Sequence, residues 1–231
     1  MQTRAPKRFR HTAVNVLIIA LIAAIYLCMQ RPPATLAVMS SSVIYQGRSE
    51  DSVALQFIVQ WDAQALPDII STLNDKNVRA TFFVSGKWAE NNSDTLIQLI
   101  REGHELGTLG YAPDSDGDRD WLIEDISRSL DIIKTKTGYD CKLYYCGDRD
   151  IGNSSRAANA LGLKNVRCTL DLLCARGDSR DIINRVPESL RGGAILLMAP
   201  TRSAVQALPS VIDILVSRGL ALIPTGRILE S

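Results

Sequence analysis

Histidine sets the first limit on the chemistry this chain can do. The sequence holds two, His11 and His104. A centre that needs two imidazole ligands and an imidazole acid cannot be built from them, and a Ser or Cys nucleophile lacks a His partner to act as its base. Asp114-Ser-Asp-Gly-Asp-Arg-Asp120 carries alternate carboxylates that could converge on one hard cation. The helix-loop-helix calcium motif, however, wants Gly at its sixth place, where this loop has Arg119. The expected role is local: an acidic, helix-initiating loop that complements the helix dipole. Cys141 and Cys146 are five residues apart and Cys168 and Cys174 six, wider than the usual zinc-binding pairs. In an oxidising compartment these cysteines allow three pairings, among which sequence does not choose. Gly103, Gly107 and Gly110 fall at a helix end and in a strand, so they do not form a dinucleotide loop.

The elements that would position these groups are read from periodicity. Val78 to Tyr111 is the organising stretch. Ala80 to Val84 is a short β-branched and aromatic run with Ser85-Gly86 behind it, which predicts a buried strand and its turn. A helix capped by Ser93 follows, its apolar positions Leu96, Ile97, Leu99 and Ile100 at helical spacing, until Gly103 stops it and a second short strand begins. Strands are also expected over Val53 to Val59, Lys142 to Cys146, Asn165 to Leu170, Ala194 to Met198 and Ala221 to Pro224. Helices are expected over Pro67 to Leu73, Ile123 to Ile133, Ser154 to Leu161, Ile182 to Leu190 and Ala204 to Ser217. Glu124, Asp125, Arg128 and Asp131 are placed on the wet side of the Ile123 helix. Strands alternating with helices predict a parallel sheet covered by helices.

The wording of the central unit, Ala80-Thr-Phe-Phe-Val84 followed after a helix by Gly103-His-Glu-Leu-Gly107, resembles the polysaccharide deacetylase (NodB-homology) family of carbohydrate esterases. The likeness runs from about Val53 to Leu229. It implies an α/β fold of the irregular (β/α) barrel type, with chemistry at the carboxyl ends of the strands.

Residue by residue, the resemblance also implies that the catalytic set has been replaced. The family's first strand ends Thr-Phe-Asp-Asp-Gly, where one Asp is the general base and the next binds the metal; the text here is Gln56-Phe57-Ile58-Val59-Gln60-Trp61. Trp61 resembles a sporulation-associated branch of the family, which still keeps an Asp where this chain has Ile58. Leu109 and Pro113 stand at the positions of two metal-binding His residues four apart. Neither can donate an electron pair to a metal. Tyr144-Tyr145-Cys146 replaces Arg-Pro-Pro, and Leu196-Leu197-Met198 replaces Leu-Leu-His, whose His is the general acid. Asp171 is retained from the supporting set. His104 matches the scaffold part of the motif and is expected to be a hydrogen-bonded structural residue. No metal cofactor is therefore expected. Ile58, Val59, Leu109, Pro113 and Met198 are expected to make the former site apolar, and Trp61, Asp62, Tyr111 and Tyr145 are the expected glycan contacts.

Ala13 to Met29 is almost wholly apolar and is preceded by Arg4, Lys7, Arg8 and Arg10. This predicts a cytoplasmic tail over 1–12, a membrane anchor over 13–29 with the basic flank inside, a linker over 30–50 and an extracytoplasmic domain over 51–231, with a signal peptide cleaved at the small residues of Ala34 to Ala37 as the rival reading. A net charge of +1 provides no field that would gather nucleic acid. The function expected is that of a membrane-anchored, deacetylase-like binding or structural module of the cell envelope that has lost catalysis, with a cell-wall glycan or an envelope protein as partner. The rival expectations are a hydrolase of cell-wall glycan with a centre rebuilt from Asp62, Asp171 and the acidic loop, and a protein scaffold with no glycan role.

Overall fold

A computed structural model describes residues 18–22, 43–61 and 63–230. Residues 18–22 are helical and belong to a unit, 1–40, separate from 41–231. Among the described residues no helix is long and apolar enough to cross a membrane. The cytoplasmic tail and most of the predicted anchor lie outside the described residues.

The second unit is a parallel α/β half-barrel. Its central strand, β1 (Ser52–Val59), is buried along nearly its whole length. Around it the sheet runs β5 (Lys164–Asn165), β4 (Leu143–Tyr144), β3 (Glu105–Thr108), β2 (Thr81–Val84), β1, β7 (Ile195–Met198), β6 (Leu170–Asp171). All of these pairings are parallel. One edge of β1 serves two partners: β8 (Ala221–Leu222) pairs with Ser52 and Val53, and β2 takes over from Gln56 to Val59. The join between them is sealed by side chains. Thr81 Oγ1 donates to Glu105 Oε2 at 2.6 Å while accepting from Thr225 N at 2.7 Å, and Gly226 N donates to the same carboxylate at 2.8 Å.

Side chains alternate across the sheet with the pleat. Val53, Leu55, Phe57 and Val59 of β1 face outward into the main core, with Phe82 and Val84 of β2 and Leu196 and Met198 of β7. Over them lie α1 (Leu66–Asp75), which buries Leu66, Ile69, Ile70 and Leu73, and α7 (Arg202–Ser217), which buries Leu208, Val211, Ile212 and Leu215. Ala54, Phe83, Leu109, Leu143, Tyr145 and Leu197 fill the inside of the barrel, with Ile58 partly buried against them. A third cluster joins α4 (Arg119–Thr137) and α5 (Ile151–Ala160) to the outer side of β4 through Leu122, Ile126, Tyr144, Cys146 and Ala157.

Several sequence expectations are corrected here. The single strand expected from Asn165 to Leu170 is two edge strands, because the chain crosses over residues 166–169 from the β4 side of the opening to the β7 side. Val166 N donates to Tyr144 O at 2.8 Å and Thr169 N to Ile195 O at 2.8 Å, while Gln56 reaches across the interior from β1 to Arg167 O at 3.1 Å. Residues 43–50, expected as linker, include segments hydrogen-bonded into the domain: Ile44 pairs with Val166 and Gln46 with Ala194, which bridges the gap that β5 and β6 leave. The helix α3 (Ser93–Arg101) begins after Asn92, which makes no side-chain capping bond, so Ser93 is its first residue rather than its cap. The helix expected over Ile182 to Leu190 is the shorter α6 (Ser179–Asn184), held by a capping box between Asp178 and Asp181, with Pro187 following its end.

Candidate functional site

The carboxyl ends of β1, β3, β4, β6 and β7 open into a cleft of about 470 Å³. Its floor is apolar: Ile58 from β1, Leu109 after β3, Leu197 from β7, with Pro113 and the ring of Tyr145 beside them. Its rim carries Asp114 and Asp116 of the β3–α4 loop, Asp148 of the β4–α5 loop and Asp171 at the end of β6, all exposed. The site is thus apolar below and acidic above: the leading sequence expectation named the apolar part, and the rival one named Asp171 and the acidic loop, which line the rim, while Asp148 was not foreseen.

The pleat decides which expected residues reach this cleft. Ile58 and Leu109 do. Val59 and Met198 do not: both belong to the outward-facing core under the helices, at 1% exposure each, and Leu197 is the β7 residue that faces inward. A one-residue shift in a strand changes the face a side chain serves, so counting along an aligned motif placed these two on the wrong side. Tyr144 likewise faces outward, fully buried against α4 and α5. Asp171 stands on the rim, and its Oδ1 accepts from Leu173 N at 2.8 Å, fixing a turn in which Leu173 takes the left-handed φ of 48°. Of the expected glycan contacts, Tyr145 lines the cleft. Trp61 is 53% exposed at the end of β1, with Lys87 Nζ 4.9 Å from the centre of its ring. Tyr111 turns away toward α4, where Arg128 stacks on it at 3.4 Å and its hydroxyl donates to Glu90 at 3.2 Å. Asp62 lies outside the described residues.

An ion pair missed in the sequence shapes the cleft wall. Asp125 is 7% exposed and not on the wet side of its helix. It lies three residues after Leu122 and just before Ile126, on the buried stripe that continues to Ser129 and Ile133, so helical spacing already placed a carboxylate among core positions. Its oxygens accept from Ala112 N at 2.9 Å and Tyr111 N at 3.1 Å, and Arg149 Nη2 meets it at 2.8 Å. Nothing in the sequence around Arg149 announced the partner. Arg149 is 4% exposed, and its guanidinium donates five hydrogen bonds: to Ser115 O, Leu109 O, Tyr144 Oη, Ala112 O and Asp125 Oδ2. That uses every N–H an arginine has. The pair ties the 109–115 loop to α4 and β4. Gly110 makes the approach possible: it has φ 85°, and a Cβ there would run into the Asp125 carboxylate and Arg149.

The imidazole and the thiols of the described domain are committed elsewhere. His104 sits at the amino end of β3, on the order of 16 Å of strand away from Leu109. It is 3% exposed, accepts from Ala80 N through Nδ1 at 3.2 Å and packs edge-on to Phe82 at 5.2 Å. Burial first, and Arg79 second, hold its imidazole down at about 4, so it is a neutral scaffold residue. Burial pushes the thiol of Cys141 up to about 12 and that of Cys168 to about 11, and raises those of Cys146 and Cys174, which leaves no thiolate nucleophile among them. All these cysteines are unpaired, so none of the three possible pairings is formed, and Cys146 and Cys174 lie in different core clusters. In the acidic loop, Asp118 caps α4 by accepting from Trp121 N at 2.9 Å, the helix-initiating role expected of it. Asp116 accepts from Asp150 N at 3.0 Å and from Gly117 N at 2.9 Å.

Among the described residues, the donor set of the cleft does not fit a metal ion: no three His, Cys, Asp or Glu side chains converge, and the floor positions carry hydrocarbon.

Comparison with known proteins places this arrangement. The family described as Polysaccharide deacetylase matches residues 46–166, more than half of the chain. The chain is similar to the uncharacterised protein YlxY of Bacillus subtilis, 25% identical over 200 residues that make up 83% of this chain and 62% of that protein. It therefore spans less than two thirds of that relative's length. It is also similar to a peptidoglycan-N-acetylglucosamine deacetylase of Bacillus cereus, 27% identical over 188 residues, covering 78% of this chain and 68% of the other. Among solved structures, a carbohydrate esterase family 4 pseudoenzyme from Bacillus anthracis superposes with a TM-score of 0.77 at 24% identity, over 86% of this chain and 72% of that one. A mutant of that pseudoenzyme with restored enzymatic activity gives 0.79 at 23% identity, over 86% and 75%. Identities this low speak for the fold alone; with the match over residues 46–166, the chain belongs to the polysaccharide deacetylase family.

Proposed function

We propose that this chain is a non-catalytic member of its family that binds glycan at the outer face of the cell membrane. The observation that carries the reading is the cleft at the strand ends: Ile58, Leu109, Pro113 and Leu197 form its floor where hydrolysis would require metal ligands and proton-transfer groups. The described domain's one imidazole is held neutral at the opposite end of the sheet. What remains is a concavity within the range of small-ligand sites, with an aromatic ring and convergent polar groups, which suits binding rather than turnover. The apolar, basic-flanked segment over 13–29 supports a membrane anchor with the domain outside.

The test is a metal and activity assay on the purified full chain. Metal content well below one ion per chain, no acetate release from acetylated chitooligosaccharide or peptidoglycan, and retention on peptidoglycan are the expected results. The acidic rim favours one alternative, a hydrolase rebuilt around Asp171 and the 114–120 loop. Acetate release abolished by Asp171→Asn would establish that alternative and overturn the non-catalytic reading.

A further inference from the structure

The cleft has a one-sided charge: its exposed rim is acidic. Asp114, Asp116, Asp148 and Asp171 all face the opening, and among the described residues Arg149 is the only basic one in the lining, with Arg167 outside it but within electrostatic reach of Tyr145. Arg149 cannot balance them, because each of its N–H groups is already used and its charge is compensated by buried Asp125. One pleat deeper than Ile58 on the same face of β1, Gln56 is 0% exposed and its Oε1 has no hydrogen-bond partner. The rim carboxylates and Gln56 Oε1 below them are acceptors, and the neutral Gln60, Ser115 and Tyr145 side chains beside them carry no charge to balance the rim. An acetamido group is neutral and gains little Coulomb attraction from such a rim, whereas a protonated amine supplies the opposite charge. Below the rim, the hydrocarbon floor and the Tyr145 ring offer an apolar surface to the C–H face of a sugar.

From this geometry we infer that the cleft binds a de-N-acetylated amino sugar, a glycan whose glucosamine carries a free ammonium group, in preference to its N-acetylated form. The inference rests on the glycan-binding reading and gives it a substrate class. The glycan meant is the product of amide hydrolysis of an acetamido sugar, the class of reaction that must act before this chain does. A concave site focuses the field of its carboxylates, so the preference weakens as salt rises.

The experiment is binding of the full chain, by calorimetry, to oligomers of glucosamine and of N-acetylglucosamine matched in length, at about pH 6, below the range of an ordinary α-amino group. The glucosamine oligomer should bind about tenfold more tightly at low ionic strength, the expected sum of several partly exposed charge pairs. The advantage should disappear when the same oligomer is re-acetylated, and in D114N/D148N. These side chains are exposed and serve no cap or turn contact of the kind Asp116, Asp118 and Asp171 make, so the variant should remain folded, as judged by an unchanged unfolding midpoint. Equal or tighter binding of the acetylated oligomer would overturn the amine preference while leaving glycan binding intact. Binding of neither oligomer, nor of peptidoglycan, would sink the glycan reading itself. Preference for glucosamine that survives D114N/D148N, or equal binding of a simple linear polyamine, would overturn the assignment to this cleft.

Discussion

At the scale of single residues, the Arg149–Asp125 pair and His104 are the groups whose surroundings most constrain them. Removing one partner of a buried pair leaves an uncompensated charge, so Asp125→Asn and Arg149→Met should each lower stability by about 3 to 5 kcal/mol. The double change should recover part of that loss but not all, since three backbone carbonyls would still miss the donors Arg149 provides. Urea unfolding of the three variants measures this. His104 gives a pH prediction. Its imidazole is held at about 4, below the 6.5 of an unfolded His, so between these values the unfolded chain binds more protons than the folded one. The stability His104 contributes is therefore present above about pH 6.5 and lost as pH falls toward 4, a loss of about 3 kcal/mol. Glu105 acts with the opposite sign: burial raises its carboxyl, so its contribution grows as pH falls. The His104 effect is isolated by comparison with His104→Asn, whose side-chain oxygen can still accept from Ala80 N. The difference in stability between the two proteins should slope across that pH window, and a flat difference would remove His104 from the argument.

At the scale of elements, the pleat of β1 separates two neighbours that the aligned motif treats alike. Ile58 faces the cleft and is partly exposed, whereas Val59 is sealed under the helices. Ile58→Asp should therefore cost about 1 to 3 kcal/mol, and Val59→Asp should cost more, up to loss of the folded domain, because its carboxylate has no partner and no water. Thermal unfolding of the two variants decides it; equal costs would mean that the register of β1 is misplaced. The start of α4 offers a milder test. Asp118→Ala removes a cap and should cost about 1 kcal/mol, whereas Asp114→Ala, on the same loop, should stay within about 0.5 kcal/mol.

At the scale of the whole molecule, the sheet is closed without a complete ring of strands. β5 and β6 are consecutive in sequence and lie at opposite ends of the strand order, and residues 44–46 bridge the opening between them. Deleting 43–50 should accordingly destabilise the domain, although sequence reads that stretch as linker; an unchanged midpoint in a chain lacking it would refute the bridging role. The predicted topology is tested by reporter fusions after residue 60, which should behave as exported if 13–29 is an anchor with its basic flank inside.

What sequence determined by itself is local in origin. The βαβ unit over Val78 to Tyr111 was legible because strand composition, helical spacing and a terminating Gly all act within a few residues, and the words of that unit were enough to indicate the family. The scaffold role of His104 and the helix-starting role of the acidic loop were legible for the same reason. Tertiary structure alone decided which side of the sheet each strand residue serves, and so put Leu197 rather than Met198 in the cleft and sent Val59 to the helices. It alone brought Arg149 to Asp125, 24 residues away in the chain. It also gathered Asp114 and Asp148 from two loops and Asp171 from the end of β6 around one apolar floor. Long-range pairing of this kind leaves no periodic trace, because the partner's position is fixed by the curl of the sheet and not by spacing along the chain.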